Sequence, residues 1–370
     1  MIPVCEPLFD GHEKQYVQDC LETNWVSSLG QYITRFEDEF SKYCGVPHGV
    51  ACANGTVALH LALVALGVGA GDEVIIPDFT LIVSANTVIL AGAKPVLVDV
   101  DPKTWCIDAA KIEEKITPRT KAIMVVHMYG HPCDMSAISE IARRRGLYVL
   151  EDCAQAHGAE VKGKRVGSWG DVGCFSFYGN KILTTGEGGM VVCQDAAIAE
   201  RLRLLRNQGF EEPRFVHRVM GYNYRLTNIQ AAIGLAQTEK ASEKVKRKRD
   251  IAATYSKLLD GQPNITLPWE AAWAKNVYWM YGIVIEDGFG RSRDDVMKEL
   301  KTHGVETRQF FYPMHRQPAY HGPDPRFPDG SGEFPVSDHL AARGLYLPSG
   351  LGLTSVQIEY VVEKVLQCRK

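Results

Sequence analysis

The sequence predicts an α/β protein, with a large domain on a mixed, mostly parallel sheet and a small C-terminal α+β domain. Three observations point there. Between residues 73 and 150, short apolar runs of strand length alternate with helix-like stretches, the pattern of helices covering a largely parallel sheet. Beyond residue 245 that alternation ends. Between these regions one lysine, Lys181, lies between an apolar run and a loop rich in Thr and Gly. A charged side chain is costly in such a place unless it has a use. The 370 residues suffice for about two domains, expected at 1–245 and 246–370.

Taken in order, Ala53-Asn54-Gly55-Thr56 precedes a strong helix former, residues 57–63. Residues 73–76, 95–98, 122–126 and 148–150 read as buried strands, with helices over 84–91 and 135–145 between them. Residues 175–178 and 189–193 read as strands on either side of the lysine loop. Residues 231–249 read as one long helix. Its basic run, 244–249, is expected on a solvated face, because Ile251, Ala252 and Tyr255 continue the helical period. A strand over 281–285 and a helix over 292–303 follow. Residues 322–332 are rich in turn formers and predict a surface loop.

Composition narrows the function classes. A formal net charge of −3 argues against a nucleic-acid or membrane-surface role. No apolar run reaches the roughly 20 residues of a membrane-spanning helix, and the N-terminus lacks a basic-then-apolar signal pattern. The ten cysteines are scattered without a C-x-x-C pair, which predicts reduced, buried thiols in a cytoplasmic protein. No clustered zinc ligands occur, and His127 and His131 read as strand-end and loop residues, so no metal is expected.

The lysine suggests a specific chemistry. Its amine can form a Schiff base with a carbonyl, the way pyridoxal 5'-phosphate is held by its enzymes. Such a site needs an anion cradle, a carboxylate for the ring nitrogen, a wall over the ring and a group near the ring oxygen. The strand ending in Glu151-Asp152 offers the carboxylate at the end where α/β folds bind ligands, with Asp152 preferred to Glu151. Gln155, three residues on, can reach the ring oxygen. Gly55 and Thr56 at a helix start offer free amides for the phosphate, and Ser176 a hydroxyl. The wall is expected from residues 77–82. Ordinary helix capping accounts for the Asn-Gly-Thr and Glu-Asp signals equally well when each is taken alone.

Taken together these residues resemble the sugar aminotransferases of the DegT/DnrJ/EryC1/StrS group, within the aspartate aminotransferase-like, type I pyridoxal phosphate superfamily. The resemblance runs from Trp25-Val26-Ser27-Ser28 through Asn54-Gly55-Thr56, Gly92-Ala93-Lys94-Pro95, Glu151-Asp152 and Tyr178-Gly179-Asn180-Lys181-Ile182. It continues through Tyr222-Asn223-Tyr224-Arg225-Leu226-Thr227-Asn228 to Tyr312-Pro313-Met314-His315 and Leu347-Pro348-Ser349. It implies amino transfer from glutamate to a keto sugar carried on a nucleotide. Within the family the chain is most similar to the branch that acts at C4 of GDP-4-keto-6-deoxymannose, for sugars used in surface polysaccharides such as O-antigen or in natural products. UDP- and dTDP-linked sugars, or C3 of a 3-keto sugar, remain alternatives, as do a non-catalytic regulator and a lyase.

The resemblance also implies roles. Lys181 carries the cofactor and moves protons, Asp152 faces the ring nitrogen, and Gln155 lies near the ring oxygen. Gly55, Thr56 and Ser176 hold the phosphate, joined by Asn223 from the partner of a homodimer. Trp25, Ser28, Gly30, Arg308, Tyr312 and His315 are the candidates for substrate contact. Two positions bear on the family pattern. The residue after Thr80 is usually aromatic and stacks on the ring, whereas here it is Leu81, so either Leu81 packs there as an apolar wall or Phe79 takes part. A dehydrating branch has histidine in place of the lysine, so Lys181 favours transamination.

Overall fold

The computed structural model describes residues 1–213 and 215–369. In chain order its strands are β1 (His48–Cys52), β2 (Glu73–Pro77), β3 (Lys94–Val98), β4 (Thr120–Val126) and β5 (Tyr148–Asp152). A short pair follows, β6 (Glu160–Val161) and β7 (Lys164–Arg165), then β8 (Val172–Ser176) and β9 (Gly189–Cys193). The rest are β10 (Ile265–Thr266), β11 (Ala274–Lys275), β12 (Tyr281–Ile285), β13 (Arg308–Gln309) and β14 (Gly344–Leu347).

The main sheet has seven strands in the order β1-β9-β8-β5-β4-β2-β3. β3, β2, β4, β5 and β8 run parallel, while β9 lies antiparallel to both β8 and β1. The expected α/β architecture with a mostly parallel, mixed sheet is therefore present. Every residue of β2, β8 and β9 is buried, as continuous apolar runs require in a sheet covered on both faces. Alternation along β4 sends Ile123 and Val125 to one core and Ala122 and Met124 to the other. The first core is closed by the helices Gln31–Cys44, Met135–Arg145 and Asn228–Glu239, the second by Gly55–Ala65, Val83–Leu90 and Ala196–Arg206.

A second sheet, β10-β12-β14-β13, packs under the helices Ala241–Leu259 and Ser355–Gln367 around Tyr255, Tyr281, Leu345 and Val361. The chain's first residues join this unit, with Ile2 bridging Val305 and packing against its core. A third, three-stranded sheet runs β11-β6-β7. The residues of β11 come from beyond 270 and pair with β6, so a segment of the second half of the chain is tied to the stretch just after β5.

The stretch expected as one helix over 231–249 is two, Asn228–Glu239 and Ala241–Leu259, meeting at Lys240. Nor is its basic run a solvated face. Lys244 and Lys248, one turn apart, are each only 3% exposed. Lys244 Nζ donates to the Leu8 carbonyl at 2.8 Å and to Asp10 at 3.0 Å, and Lys248 Nζ donates to the Ser349 carbonyl. Arg247 and Arg249 donate to the carbonyls of Leu351 and Asn276. Long cationic side chains bury their stems and spend their charge on carbonyls at chain turns, a use that helical periodicity cannot reveal. Among the described residues no helix is long and apolar enough to cross a membrane. The ten cysteines are all unpaired, and all but Cys5 are buried.

Candidate active site

The parallel strands β2, β5 and β8 deliver their carboxyl ends to one edge of the sheet, the edge where such folds place ligands. A cavity of about 580 Å³ lies there, and Lys181, Asp152, Gly55, Thr56, Ser176 and Leu81 all line it. These residues are far apart in sequence. Their convergence is a product of the topology.

Lys181 is carried on a tightly bonded turn between β8 and β9. Thr184 Oγ1 donates to the Phe177 carbonyl at 3.0 Å and accepts from the Gly186 N–H at 3.0 Å, while the Thr185 N–H returns to the Phe177 carbonyl at 2.9 Å. The Lys181 N–H itself closes on the Tyr178 carbonyl at 2.9 Å. The Thr and Gly residues of the segment thus fix the backbone and leave the lysine stem directed at the cavity. Burial lowers the amine's pKa to about 8, even though the charges of Asp152 and Cys5 oppose the shift.

Asp152 and Glu151 are neighbours on β5 and face opposite sides of the sheet. Asp152 is 4% exposed and turns to the cavity, where Oδ1 accepts only the Ala154 N–H at 3.0 Å among backbone donors. Burial raises its pKa against the pull of that amide, Lys181 and His127. Glu151 is fully buried on the other side. Its carboxylate accepts the N–H groups of Gly167, Trp169 and Gly170 at 2.8–2.9 Å, and its Oε2 lies 3.1 Å from His127 Nε2. The Cys133 N–H donates to His127 Nδ1 at 3.0 Å, so the ring proton sits on Nε2 and points at Glu151. Both Glu151 oxygens are spent, which leaves Asp152 as the carboxylate that serves the cavity. Cys153 completes a buried trio with His127 and Glu151 whose candidate ligand atoms lie within 4.8 Å, but His127 has no lone pair left for a metal in this arrangement.

The cavity also has an anion cradle. The helix Gly55–Ala65 starts at its edge, capped by Asn54 Oδ1, which accepts the Val57 N–H at 3.0 Å. The N–H groups of Gly55 and Thr56, first and second in the helix, have no acceptor within it and carry the positive end of the helix dipole. A Cβ on Gly55 would stand 2.6 Å from Ser176 Cβ. Only glycine lets the helix start approach the Ser176 hydroxyl so closely, and that approach assembles two amides and a hydroxyl in one place. With Lys181 and Asp152 in the same cavity, these donors fit pyridoxal 5'-phosphate.

Between Leu81 and Phe79, the structure places Leu81 at the cavity. Leu81 is 42% exposed and lines it, while Phe79 is fully buried among Tyr129, Phe310 and Phe311, 6.0–6.4 Å between ring centroids. Gln155 is buried and its Oε1 accepts the Tyr129 N–H at 2.9 Å.

The expected substrate residues are not brought together in this chain. Ser28 lines a second cavity of about 580 Å³, with Arg206, Asn207 and Arg225. Trp25 is exposed and its carbonyl accepts from Asn228 Nδ2 at 2.7 Å, while Gly30 packs against the Asn228 side chain. Asn223 is exposed on the segment that pairs it with Asn207. Arg308 pairs with Glu306 at 3.0 Å and stands opposite Tyr346, which lines the Lys181 cavity. Tyr312 is exposed beside Phe311, another lining residue. His315 is engaged by partners within the chain. Its Nδ1 and its own N–H both bond the buried Asp78 at 2.8 Å, its Nε2 lies 3.2 Å from Asp338, and its ring stacks on Phe334. It ties the 310–340 region to the end of β2, two residues before Thr80.

Among the lining residues that the sequence reading did not assign to the site are three aromatics, Trp279, Phe311 and Tyr346. All come from the second half of the chain and sit in ordinary apolar segments, so no local pattern marks them. Tyr178, Asn180 and Glu187 also line the cavity, and their place beside Lys181 was signal enough to find them.

With this geometry in view, comparison with known proteins is specific. The family model described as the DegT/DnrJ/EryC1/StrS aminotransferase family matches residues 7–366. The GDP-perosamine synthase of Caulobacter vibrioides is 48% identical over 98% of this chain and 96% of that relative. The GDP-perosamine synthase of Escherichia coli O157:H7 is 45% identical over 98% of this chain and 97% of that relative. The X-ray structure of DesV from S. venezuelae superposes with a TM-score of 0.89 at 37% identity, covering 96% of this chain and 94% of that one.

Two outcomes test the geometry. Glu151→Ala strands the buried Gly167 N–H and the part-buried N–H groups of Trp169 and Gly170, so urea unfolding should show a loss of about 3 kcal/mol, at about 1–3 kcal/mol for a fully buried donor. An unchanged midpoint would remove Glu151 from its structural role. The second concerns pH. Burial lowers the His315 pKa, but the bond to Asp78 and the charges of Asp78 and Asp338 outweigh it and raise the value above that of an ordinary histidine. Its contribution to stability is then complete below an unfolded pKa of about 6.5 and lost as pH rises through the higher folded value. The stability gap between the wild type and His315→Gln should narrow over that window, and a gap independent of pH would contradict it.

Proposed function

This chain belongs to the DegT/DnrJ/EryC1/StrS aminotransferase family and is a pyridoxal phosphate-dependent aminotransferase, and from that premise we propose its substrates and the roles of its residues. It transfers an amino group from glutamate to C4 of GDP-4-keto-6-deoxymannose, giving GDP-perosamine. The similarity to two GDP-perosamine synthases over nearly the whole chain supports this choice. The observation that carries the reading is the meeting of Lys181, Asp152 and the Gly55–Ser176 cradle in one cavity.

Bound pyridoxal phosphate supplies an electron sink joined to the amine-bearing carbon, so that a proton there can leave and be returned elsewhere. The chain's own residues do the rest. Lys181 binds the cofactor and then moves the proton. A pKa near 8 leaves it enough free base at neutral pH to act as a base, and makes its conjugate acid a ready donor. Asp152 would face the ring nitrogen and would keep it protonated, since a cation there favours a carboxylate that burial alone disfavours. The amides of Gly55 and Thr56 and the Ser176 hydroxyl would hold the phosphate and Leu81 would give an apolar cover, with Gln155, just behind the lining, the group nearest in sequence to serve the ring oxygen.

Asn223 completes the phosphate site across a homodimer. It is exposed here, and Phe215, Val216, Val219 and Met220 present a run of exposed apolar side chains on the same segment, as a surface awaiting a second copy does. Ten unpaired cysteines suit a reducing compartment, the cytoplasm.

Enzyme loaded with pyridoxamine phosphate and mixed with GDP-4-keto-6-deoxymannose should recover the absorbance of the lysine-bound cofactor. UDP- and dTDP-linked 4-keto sugars in parallel should not match it. Recovery with one of those alone moves the substrate, and recovery with none withdraws it. Asp152→Asn should slow the same half-reaction by several orders of magnitude. Lys181→Ala and Asn223→Ala should each be inactive or nearly so. Mixed under exchanging conditions, the two should regain activity that neither has alone, because one hybrid site is intact. Failure to complement would mean that Asn223 serves its own subunit or none.

A further inference from the structure

We propose that Trp279 is a positioning residue for the reactive amine: its indole face receives Lys181 Nζ whenever that amine is free, and so sets how readily it takes and gives a proton. The proposal rests on the reading of Lys181 as the cofactor-binding lysine.

Four observations build the case. Lys181 Nζ lies 3.7 Å from the centre of the Trp279 ring, well inside the range of an ammonium–aromatic attraction. The indole N–H donates to the Asn180 carbonyl at 2.7 Å, the carbonyl immediately before Lys181, so ring and lysine are fixed to one peptide unit. Trp279 is 3% exposed and lines the cavity, so its ring is held by packing while one face meets the half-buried amine. Its backbone is pinned too. Gly130, at φ +106°, approaches so closely that a Cβ there would stand 2.8 Å from the Trp279 nitrogen.

The charged and titratable groups facing the amine are few. Asp152 and Cys5 favour the ammonium, and burial opposes it. His157, fully buried among Phe40, Phe175 and Phe177, is pushed down to about 3 by burial and by Lys181, so it stays neutral and adds no charge. Cys5 is itself raised by burial and feels Lys248 as well as Lys181. Among the described residues the indole is the one aromatic face lying at contact distance from this amine. It offers the displaced amine a place at the cavity wall, 3.7 Å from the ring centre. A leucine of similar reach would cover the amine without attracting it.

The test is competitive labelling with trace acetic anhydride across pH, with peptide mapping of Lys181, on the full-length protein loaded with pyridoxamine phosphate, the form in which the amine is free. The labelling midpoint should fall by about one pH unit in Trp279→Leu and by less in Trp279→Phe, which keeps a weaker ring face and loses the N–H anchor. A midpoint that stays or rises in both variants overturns the proposal. Should Trp279→Leu not fold, Trp279→Phe alone decides by the same criterion. Loading with pyridoxal phosphate separates the two levels. It should protect Lys181 from labelling, and a Lys181 that labels freely in that form would sink the underlying reading whatever Trp279 does.

Discussion

The interaction on which the rest of the site depends is the burial of the Glu151 carboxylate under three backbone amides and the His127 ring. An unpaired carboxylate could not stay in that place, and the amides of Gly167, Trp169 and Gly170 would be equally costly left bare. Joined, they lock the turn before β8 onto the end of β5 and fix which face of β5 each acid occupies. Asp152 then has one direction available, into the cavity. Since β8 continues to Ser176 and the lysine turn, the same bonds set the distance between the carboxylate and the amine. A structural acid thus places a functional one.

Desolvation is the largest influence on three buried ionisable groups in and beside the cavity. It lowers Lys181, raises Asp152 and strips His157 of its charge. The mutual attraction of Lys181 and Asp152 only partly offsets this. A cation and an anion are thus both pressed towards neutrality by the chain's own packing. A phosphate on the helix start and a protonated ring nitrogen beside Asp152 would supply the missing charges. Strain of this kind is expected where a site is organised for a ligand rather than for the chain's own stability.

The sequence disclosed the parts of the site that depend on local chemistry. Lys181 stood out because its neighbours are small and polar on one side and apolar on the other. Gly55-Thr56 stood out because a helix start has free amides, and Asp152 because an apolar strand ended there. The main sheet was legible for the same reason, since buried parallel strands are short, continuous apolar runs. What was not legible required distance. Leu81 and Phe79 differ by two residues in a tight turn after β2, and only packing on Tyr129 and Phe310 decides that Phe79 goes inward. The basic run after Lys244 looked solvated because its carbonyl partners, at Leu8, Ser349 and Asn276, are distant in sequence. His315 was a substrate candidate from the resemblance, and its partners within the chain were not legible. Its two acids, Asp78 and Asp338, come from elsewhere in the chain.

The departure at Leu81 becomes intelligible once the second half of the chain is in place. An aromatic residue at that position would supply a flat wall from the main sheet. Here Trp279, Phe311 and Tyr346 approach from the other side of the cavity, on segments that belong to or flank the second sheet. They are held there by bonds that cross between the two units, among them the Trp279 N–H to Asn180, the Phe311 N–H to Tyr129 Oη, and His315 to Asp78. With so much rigid aromatic surface on one side, dispersion contact from a leucine is enough on the other. The consequence is that neither unit contains the site. The main sheet brings the charges, the second brings the apolar enclosure that makes those charges count, and the cavity has its electrostatic character only while the two are joined.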